Sequence, residues 1–531
     1  MAAVLVARAP GELRIPKRPV KAGAEATPGV RAEIGELRRL DQTIALLGWD
    51  EETMLPAAAR AERGDQLASL EALRHNLLTS DRLGDLMEEA ALETEGDPRW
   101  TRELALLRRS RRQALALPEE LIRAFAQAKS RALGAWEEAR AQDDFAVFAP
   151  AFETVLGQAR ERAQALAPGE ELYDAALEDF EPGMTRARLD PVLGELRDRL
   201  APLVRSSAEQ SASSAPSPEG RMVPEAAQWE LCRDLLAAIG FDFARGRLDR
   251  STHPFTLLAG ANDVRLTIRV HEDNVASTIL TTLHEGGHAL YDQGLTQGDR
   301  DCLLSDAPSM GLHECQARLW ENHVGRLGAF WAHLLPALRA RSGAAMDGLD
   351  ADAFRRAVNR IRPSLIRVDA DPVSYHLHIF MRYELEIALF SGALAVRDLP
   401  AAWRERSAAL IGAAPACDRE GVLQDVHWAQ GLFGYFPSYT LGSLYAAQLV
   451  EAYERDHALA DEIGRGDFAS LRGWLAERVY AHGQLYSAEE VVLRATGKGL
   501  DAGAFLRHIE RTADGPSGAG QTASRRGSPR R

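Results

Sequence analysis

Cysteine is scarce in this chain. Four residues, Cys232, Cys302, Cys315 and Cys417, are scattered over 531 positions, and no Cys-x-x-Cys pair occurs. That usage excludes a disulfide scaffold and reads as reduced thiols in a cytoplasmic protein. Long apolar runs are also missing: nothing approaches the ~18 consecutive residues of a membrane span. An excess of positive charge is absent too. The net charge is −14, which argues against a nucleic-acid-binding surface. The basic residues near the start (Arg8, Arg14, Lys17, Arg18 and Lys21) flank no long apolar core, so they do not form a secretory signal.

What is present is a long chain with ample material for a core, 46% hydrophobic and 26% charged. Residues 1–30 are interrupted by Pro10, Pro16, Pro19 and Pro28 and read as a disordered extension. From Arg31 the text turns helical. Apolar residues recur at three and four, as in Leu37, Leu40, Ile44 and Leu47. We expect an N-terminal helical lobe over 31–205, an exposed loop over 206–224 rich in Ser, Ala and Pro, and a second lobe over 225–511. The tail 512–531, rich in Gly, Ser and Arg, reads as disordered.

One stretch breaks the helical period. From Asp263 to His271 apolar residues alternate strictly, which predicts a half-buried strand with Arg265, Thr267 and Arg269 on its polar face. A dozen residues later comes His284-Glu285-Gly286-Gly287-His288. On a helix, residues four apart share a face, so both imidazoles can aim at one point. Two imidazoles and one further ligand leave a position on a metal open for water. Glu285, between them, is placed to act on that water as general base. Ten of the fourteen histidines fall between His253 and His427, which concentrates candidate ligands in this part of the chain.

The third ligand must come from another turn of chain. No histidine follows between Tyr291 and Asp299, so a later carboxylate is required. A second predicted helix, from Ser309 to Asn322, offers Glu314 and Glu321, and spacing does not choose between them. Three further segments stand out. Trp49-Asp50 before Pro56 reads as a buried tryptophan with a capping aspartate, or as a wall of a substrate site. Asp371-Pro372 is a strong helix start, and Arg367 beside it can grip a carboxylate with a two-pronged hydrogen bond. Gly421 to Tyr439 is rich in Gly and aromatics, and includes His427 and Tyr435 as hydrogen-bond donors for a developing oxyanion.

Taken together, these segments resemble the carboxypeptidase Taq family of metallocarboxypeptidases over about Arg31 to Glu510. The resemblance rests on His253-Pro254-Phe255, Asp263-x-Arg265-x-Thr267, His284-Glu285-x-Gly287-His288, His313-Glu314-x-Gln316, Ile366-Arg367-x-x-Ala370-Asp371 and Gly421-x-x-Gln424-Asp425-x-His427-Trp428. It implies a mainly α fold: a large helical, two-lobed metallopeptidase with a deep active-site groove and a small β-sheet next to the His-Glu helix. It implies His284, His288 and Glu314 as metal ligands and Glu285 as base. Arg265, Arg367 and His253 become substrate-binding residues, with Arg265 and Arg367 on the free C-terminal carboxylate of a peptide. His427 and Tyr435 become transition-state donors. The cofactor implied is Zn2+, with Co2+ as a working alternative, and the assembly implied is a homodimer. Cys315 stands where the family usually has Ser or Gly, and Pro372 and Ser374 replace the commoner Glu and Thr. Two other readings fit the same motif: an endo- or aminopeptidase of the gluzincin type, and a non-catalytic helical peptide-binding protein.

Overall fold

The computed structural model describes residues 26–209, 216–295 and 301–513. Residues 1–25 of the expected N-terminal extension, the middle of the Ser-rich loop and all but the start of the expected tail lie outside them. The fold is mainly helical, with one three-stranded sheet among the described residues. No helix among these residues is long and apolar enough to cross a membrane.

The first helix, α1 (Ala26–Thr53), begins inside the stretch expected to be irregular and ends just before Pro56. Its buried Val30, Ile34 and Leu37 join Leu83, Leu86 and Leu104 in a small separate core. The larger core draws its first side chain from Ala128. The apolar division therefore falls well before Ser206. Aromatic packing explains this: Phe152 stacks on Trp428 and on Phe433, at ring distances of 5.5 and 6.1 Å. These contacts draw the helices that precede Ser206 into the later half of the chain.

The helix α2 (Glu225–Ile239) leads into the sheet, which consists of β1 (Gly246–Arg250), β2 (Thr256–Gly260) and β3 (Asp263–Ile268). The order is β1-β3-β2, with β1 parallel and β2 antiparallel to the central β3. The strand is shorter than the alternation predicts, and Thr267 is fully buried rather than solvated. Its hydroxyl is tied to Ser251 Oγ at 2.6 Å and accepts the Phe255 N–H at 3.0 Å, so its polar atom is satisfied locally.

Four helices build the site: α3 (Val275–Leu295), α4 (Met310–Arg318), α5 (Ser374–Ser391) and α6 (Phe436–Tyr453). Asn274 opens α3 by accepting the Ser277 N–H, and Ser309 caps α4 by accepting the Leu312 N–H. Beyond Arg318 the chain widens into a π-helical turn, Leu319–Val324, where one continuous helix was expected. Such turns concentrate at functional sites. Asp371 accepts the N–H groups of Val373 and Ser374 at 2.9 and 3.0 Å, so the predicted start signal is used, although α5 itself begins at Ser374.

Glycines set the spacing of these helices. A Cβ on Gly287 would lie 2.5 Å from the Gln316 carbonyl oxygen and 2.8 Å from Ala317 Cα, both backbone atoms of α4. A Cβ on Gly442 of α6 would lie 2.6 Å from Cγ of Glu314. The short helix α4 is thus pressed between α3 and α6 with no room for a methyl group on either side. Gly286 differs, because its nearest neighbours are the side-chain tips of Ile239 and Leu236, both at 2.9 Å. Gly287→Ala is expected to lose about 1–3 kcal/mol through forced backbone separation. Gly286→Ala should be close to neutral, since the helix-propensity gain of ~1 kcal/mol offsets a small repacking. Chemical denaturation of both variants measures the difference, and equal losses would remove the backbone contact as the cause.

Candidate metal centre and substrate cavity

His284 and His288 sit one turn apart on α3 with ring centroids 5.0 Å apart. Across the gap, α4 delivers Glu314. Its Oε2 is 3.8 Å from His284 Nε2 and 3.4 Å from His288 Nε2. One donor atom from each of the three residues lies within 4.8 Å of the others, a compact set of two imidazoles and a carboxylate. This donor set fits a divalent transition metal with an open position.

The surrounding charges favour a cation there. Arg318, one turn after Glu314, donates from Nε to Glu314 Oε1 at 2.6 Å, which leaves Oε2 turned to the imidazoles. Burial pushes the Glu314 carboxyl up, but Arg318 and His284 outweigh it and hold it well below the usual carboxylate range. Burial likewise disfavours charge on His284, yet Glu314 and Glu321 raise its pKa to about 9. His288 moves the other way, to about 4, through burial and the neighbouring His313.

Glu321 supplies what a ligand needs from behind. Its Oε2 lies 2.8 Å from His284 Nδ1, which leaves Nε2 facing the centre. Of the two carboxylates that spacing left open, Glu314 faces the donor set and Glu321 stands behind His284. Glu285 is buried, and its Oε2 accepts the Thr256 Oγ–H at 2.7 Å. The sheet thus fixes the orientation of the candidate base through β2.

A cavity of about 950 Å³ opens from this centre, lined by His284, Glu314, Arg367, Tyr375, His376 and Tyr439 among others. Arg367 is held from below. Its Nε and Nη2 meet Asp425 Oδ1 at 2.9 and 2.8 Å, while Nη1 donates to Tyr375 Oη at 3.2 Å. Asp425 is shared with the fully buried Arg382, at 2.5 Å from its Nη2. Gln424 also accepts the Arg367 backbone N–H, at 2.8 Å.

The other expected residues are placed differently. Arg265 is not among the cavity-lining residues. It forms a two-pronged pair with Asp263, at 2.8 and 2.7 Å, and lies 4.5 Å over the ring of Trp49. Trp49 is buried as expected, but Asp50 pairs with Arg63 through its side chain rather than capping a helix. The His253 side chain is exposed, next to Pro254, which lines the cavity. His427 Nε2 lies 3.0 Å from Tyr439 Oη, and its pKa falls to about 3 through burial and the nearby Arg367. Tyr435 packs beside both, with rings 5.7 Å from His427 and 5.2 Å from Tyr439.

Sequence reasoning passed over Arg318, Tyr375 and His376 and gave Tyr439 no role. Arg318 carried a signal, being one helical turn from Glu314. The other three come to the cavity only through helix packing. Two buried carboxyls hold that packing. Glu386 on α5 accepts from Tyr173 Oη, Trp428 Nε1 and the Gly434 N–H at 2.6, 2.7 and 3.1 Å. Glu181 accepts from the Gly311 N–H and Ser438 Oγ at 2.5 and 2.6 Å, joining α4 to α6.

Two predictions follow from these partners. Glu321→Gln should weaken metal binding by ~10–100-fold without removing a ligand, as chelator competition would show. The second concerns pH. Burial outweighs the hydrogen bonds and raises Glu181 and Glu386 from 4.5 to about 7. Between those values the folded chain holds more protons than the unfolded one, so stability falls as pH rises. Their contribution is full below the unfolded value and is lost as pH climbs through about 7. The melting temperature of wild type should therefore lose ground to that of Glu386→Gln between about pH 5 and about pH 8, because the buried histidines titrate alike in both proteins. An equal pH dependence in both proteins would exclude Glu386 as a source.

Comparison with known proteins agrees with this geometry. Residues 29–513 match the family model of the carboxypeptidase Taq (M32) metallopeptidases. The chain is 41% identical over 485 residues to thermostable carboxypeptidase 1 of Thermus thermophilus, covering 88% of this chain and 94% of that protein. It is 36% identical over 476 residues to carboxypeptidase 1 of Bacillus subtilis, with the same coverage. The crystal structure of an M32 carboxypeptidase from Deinococcus radiodurans R1 superposes with a TM-score of 0.88 at 35% identity, over 92% of this chain and 99% of that one. The chain belongs to the carboxypeptidase Taq (M32) family, whose members are metal-dependent carboxypeptidases acting on peptides.

Proposed function

We propose that this enzyme removes the C-terminal residue of a peptide lying in the cavity, with His284, His288 and Glu314 as ligands of Zn2+. The observation that carries this reading is that Arg367 lines one cavity with His284 and Glu314, two members of the three-donor cluster. An ion held there supplies Lewis-acid chemistry, lowering the pKa of water and polarising the scissile carbonyl. The two-imidazole, one-carboxylate donor set favours zinc, and cobalt accepts the same ligands.

The chain's own residues do the rest. Arg367, braced by Asp425, offers its outer guanidinium edge to the terminal carboxylate and so fixes the cut one residue from the end. Glu285, steadied by Thr256, takes the proton of the attacking water and passes it to the leaving amine. Tyr439 faces the cavity and donates a hydrogen bond to the developing oxyanion, with His427 and Tyr435 packed behind it to orient its hydroxyl. Arg265 joins the clamp only by exchanging Asp263 for substrate, and His253 contacts peptide only at the rim. The four free cysteines support a cytoplasmic location. The family resemblance supports a homodimer, which light scattering would test.

Glu285→Gln should keep its metal while kcat falls by ~100–10,000-fold. Full activity in a metal-loaded Glu285→Gln protein would remove that residue as the base. Arg367→Lys loses the two-pronged geometry and should lower kcat/KM on free-acid peptides by ~10–100-fold, equivalent to a charged hydrogen bond. Arg265→Lys should lower it less. The reverse order in steady-state kinetics would move the clamp to Arg265.

A further inference from the structure

The two histidines on α3 are supported unequally. His284 has Glu321 behind its Nδ1, whereas His288 Nδ1 is buried without a hydrogen-bond partner. A lone imidazole in that position has no polar group to set its ring orientation. His288 instead lies against another imidazole. The ring of His313 stacks on it with centroids 4.5 Å apart and planes inclined by 21°.

His313 is itself fixed at its far edge. Its Nε2 lies 2.9 Å from Asp292 Oδ1, and both side chains are largely buried. Asp292 belongs to α3, one turn beyond His288, and His313 immediately precedes Glu314 on α4. The His313–Asp292 bond therefore spans the two helices that carry the donor set. It crosses the seam where Gly287 already brings their backbones together. Tyr291 closes the far side, its ring 5.6 Å from His313.

We infer that the His313–Asp292 pair is a positioning device for the metal centre, fixing the ring plane of His288 by stacking and its distance from Glu314 by bridging α3 and α4. The inference rests on the metal-site reading above. Neither residue belongs to the three-donor cluster or lines the cavity. It replaces, for His288, the carboxylate that Glu321 provides for His284. Stacking constrains tilt but leaves Nδ1 without a charged partner, so the two imidazoles are held by different forces.

The test uses the full-length protein and three variants. His313→Leu removes both ring and bond, His313→Phe keeps a planar ring but loses the bond, and Asp292→Asn keeps the shape but loses the charge. Zinc affinity is read by chelator competition, ligand geometry by the visible absorption of the cobalt-loaded protein, and folding by the melting temperature of the metal-free form. His313→Leu is expected to bind zinc ~10–100-fold more weakly with an altered cobalt spectrum, and His313→Phe to recover part of the loss. Wild-type affinity and spectrum in both His313 variants would overturn the inference. Equal losses in His313→Leu and His313→Phe would overturn the stacking role. If His313→Leu does not fold, the isosteric Asp292→Asn decides: weaker zinc binding supports the bridge, and unchanged binding removes it. A wild-type protein that binds no zinc would instead defeat the metal-site reading itself.

Discussion

The site depends on how closely three helices approach. α4 has no room to move, because Gly287 brings α3 against its backbone and Gly442 brings α6 against the Glu314 side chain. That double contact carries the carboxylate to within 3.4 Å of His288 Nε2. Everything polar around the centre is arranged on this frame. Arg318 turns one oxygen of Glu314 away, Glu321 turns His284 inward, and Thr256 reaches from the sheet to steady Glu285. A frame of this stiffness suits catalysis, because ligand geometry must be held without help from substrate.

Buried charge at the other end of the cavity follows the same logic. Arg367 and Arg382 share Asp425, and this pairing compensates for removing all three from water. Burial tends to neutralise Asp425, but the two guanidinium groups hold its carboxyl far below the usual range. An arginine fixed in this way presents one edge to the cavity at little cost in side-chain entropy when a carboxylate arrives. The buried carboxyls of Glu181 and Glu386 brace the surrounding helices and turns by accepting hydrogen bonds from groups that burial would otherwise leave unpaired.

Much of this was legible in the sequence wherever the chemistry is local. The pairing of His284 with His288 follows from helical period alone, and the capping signal at Asp371 lies three residues before the first residue of α5. The helical class was clear from the repeat of Leu37, Leu40, Ile44 and Leu47. Non-local relations were less accessible. Glu314 and Glu321 are seven residues apart, about two helical turns, and only the seating of α4 against α3 separates a donor from its brace. Thr267 alternates like a solvent-facing residue, yet Ser251 and Phe255 fold over it. That Asp263, two residues away on the same strand, pairs with Arg265 is a side-chain choice the alternating pattern does not carry. The small apolar cluster ends at Leu107 and the large one begins at Ala128, because Phe152 packs on Trp428, a contact across 276 positions of chain that no local pattern carries.

The central claim is that one cavity joins a metal-activated water to a clamp for a free carboxylate. Mass spectrometry of a defined peptide and of its C-terminal amide, each incubated with metal-loaded protein, tests that claim most directly. A ladder shortened from the C-terminus, with the amide left intact, is the predicted result. Cleavage of both peptides at internal or N-terminal bonds would contradict the clamp.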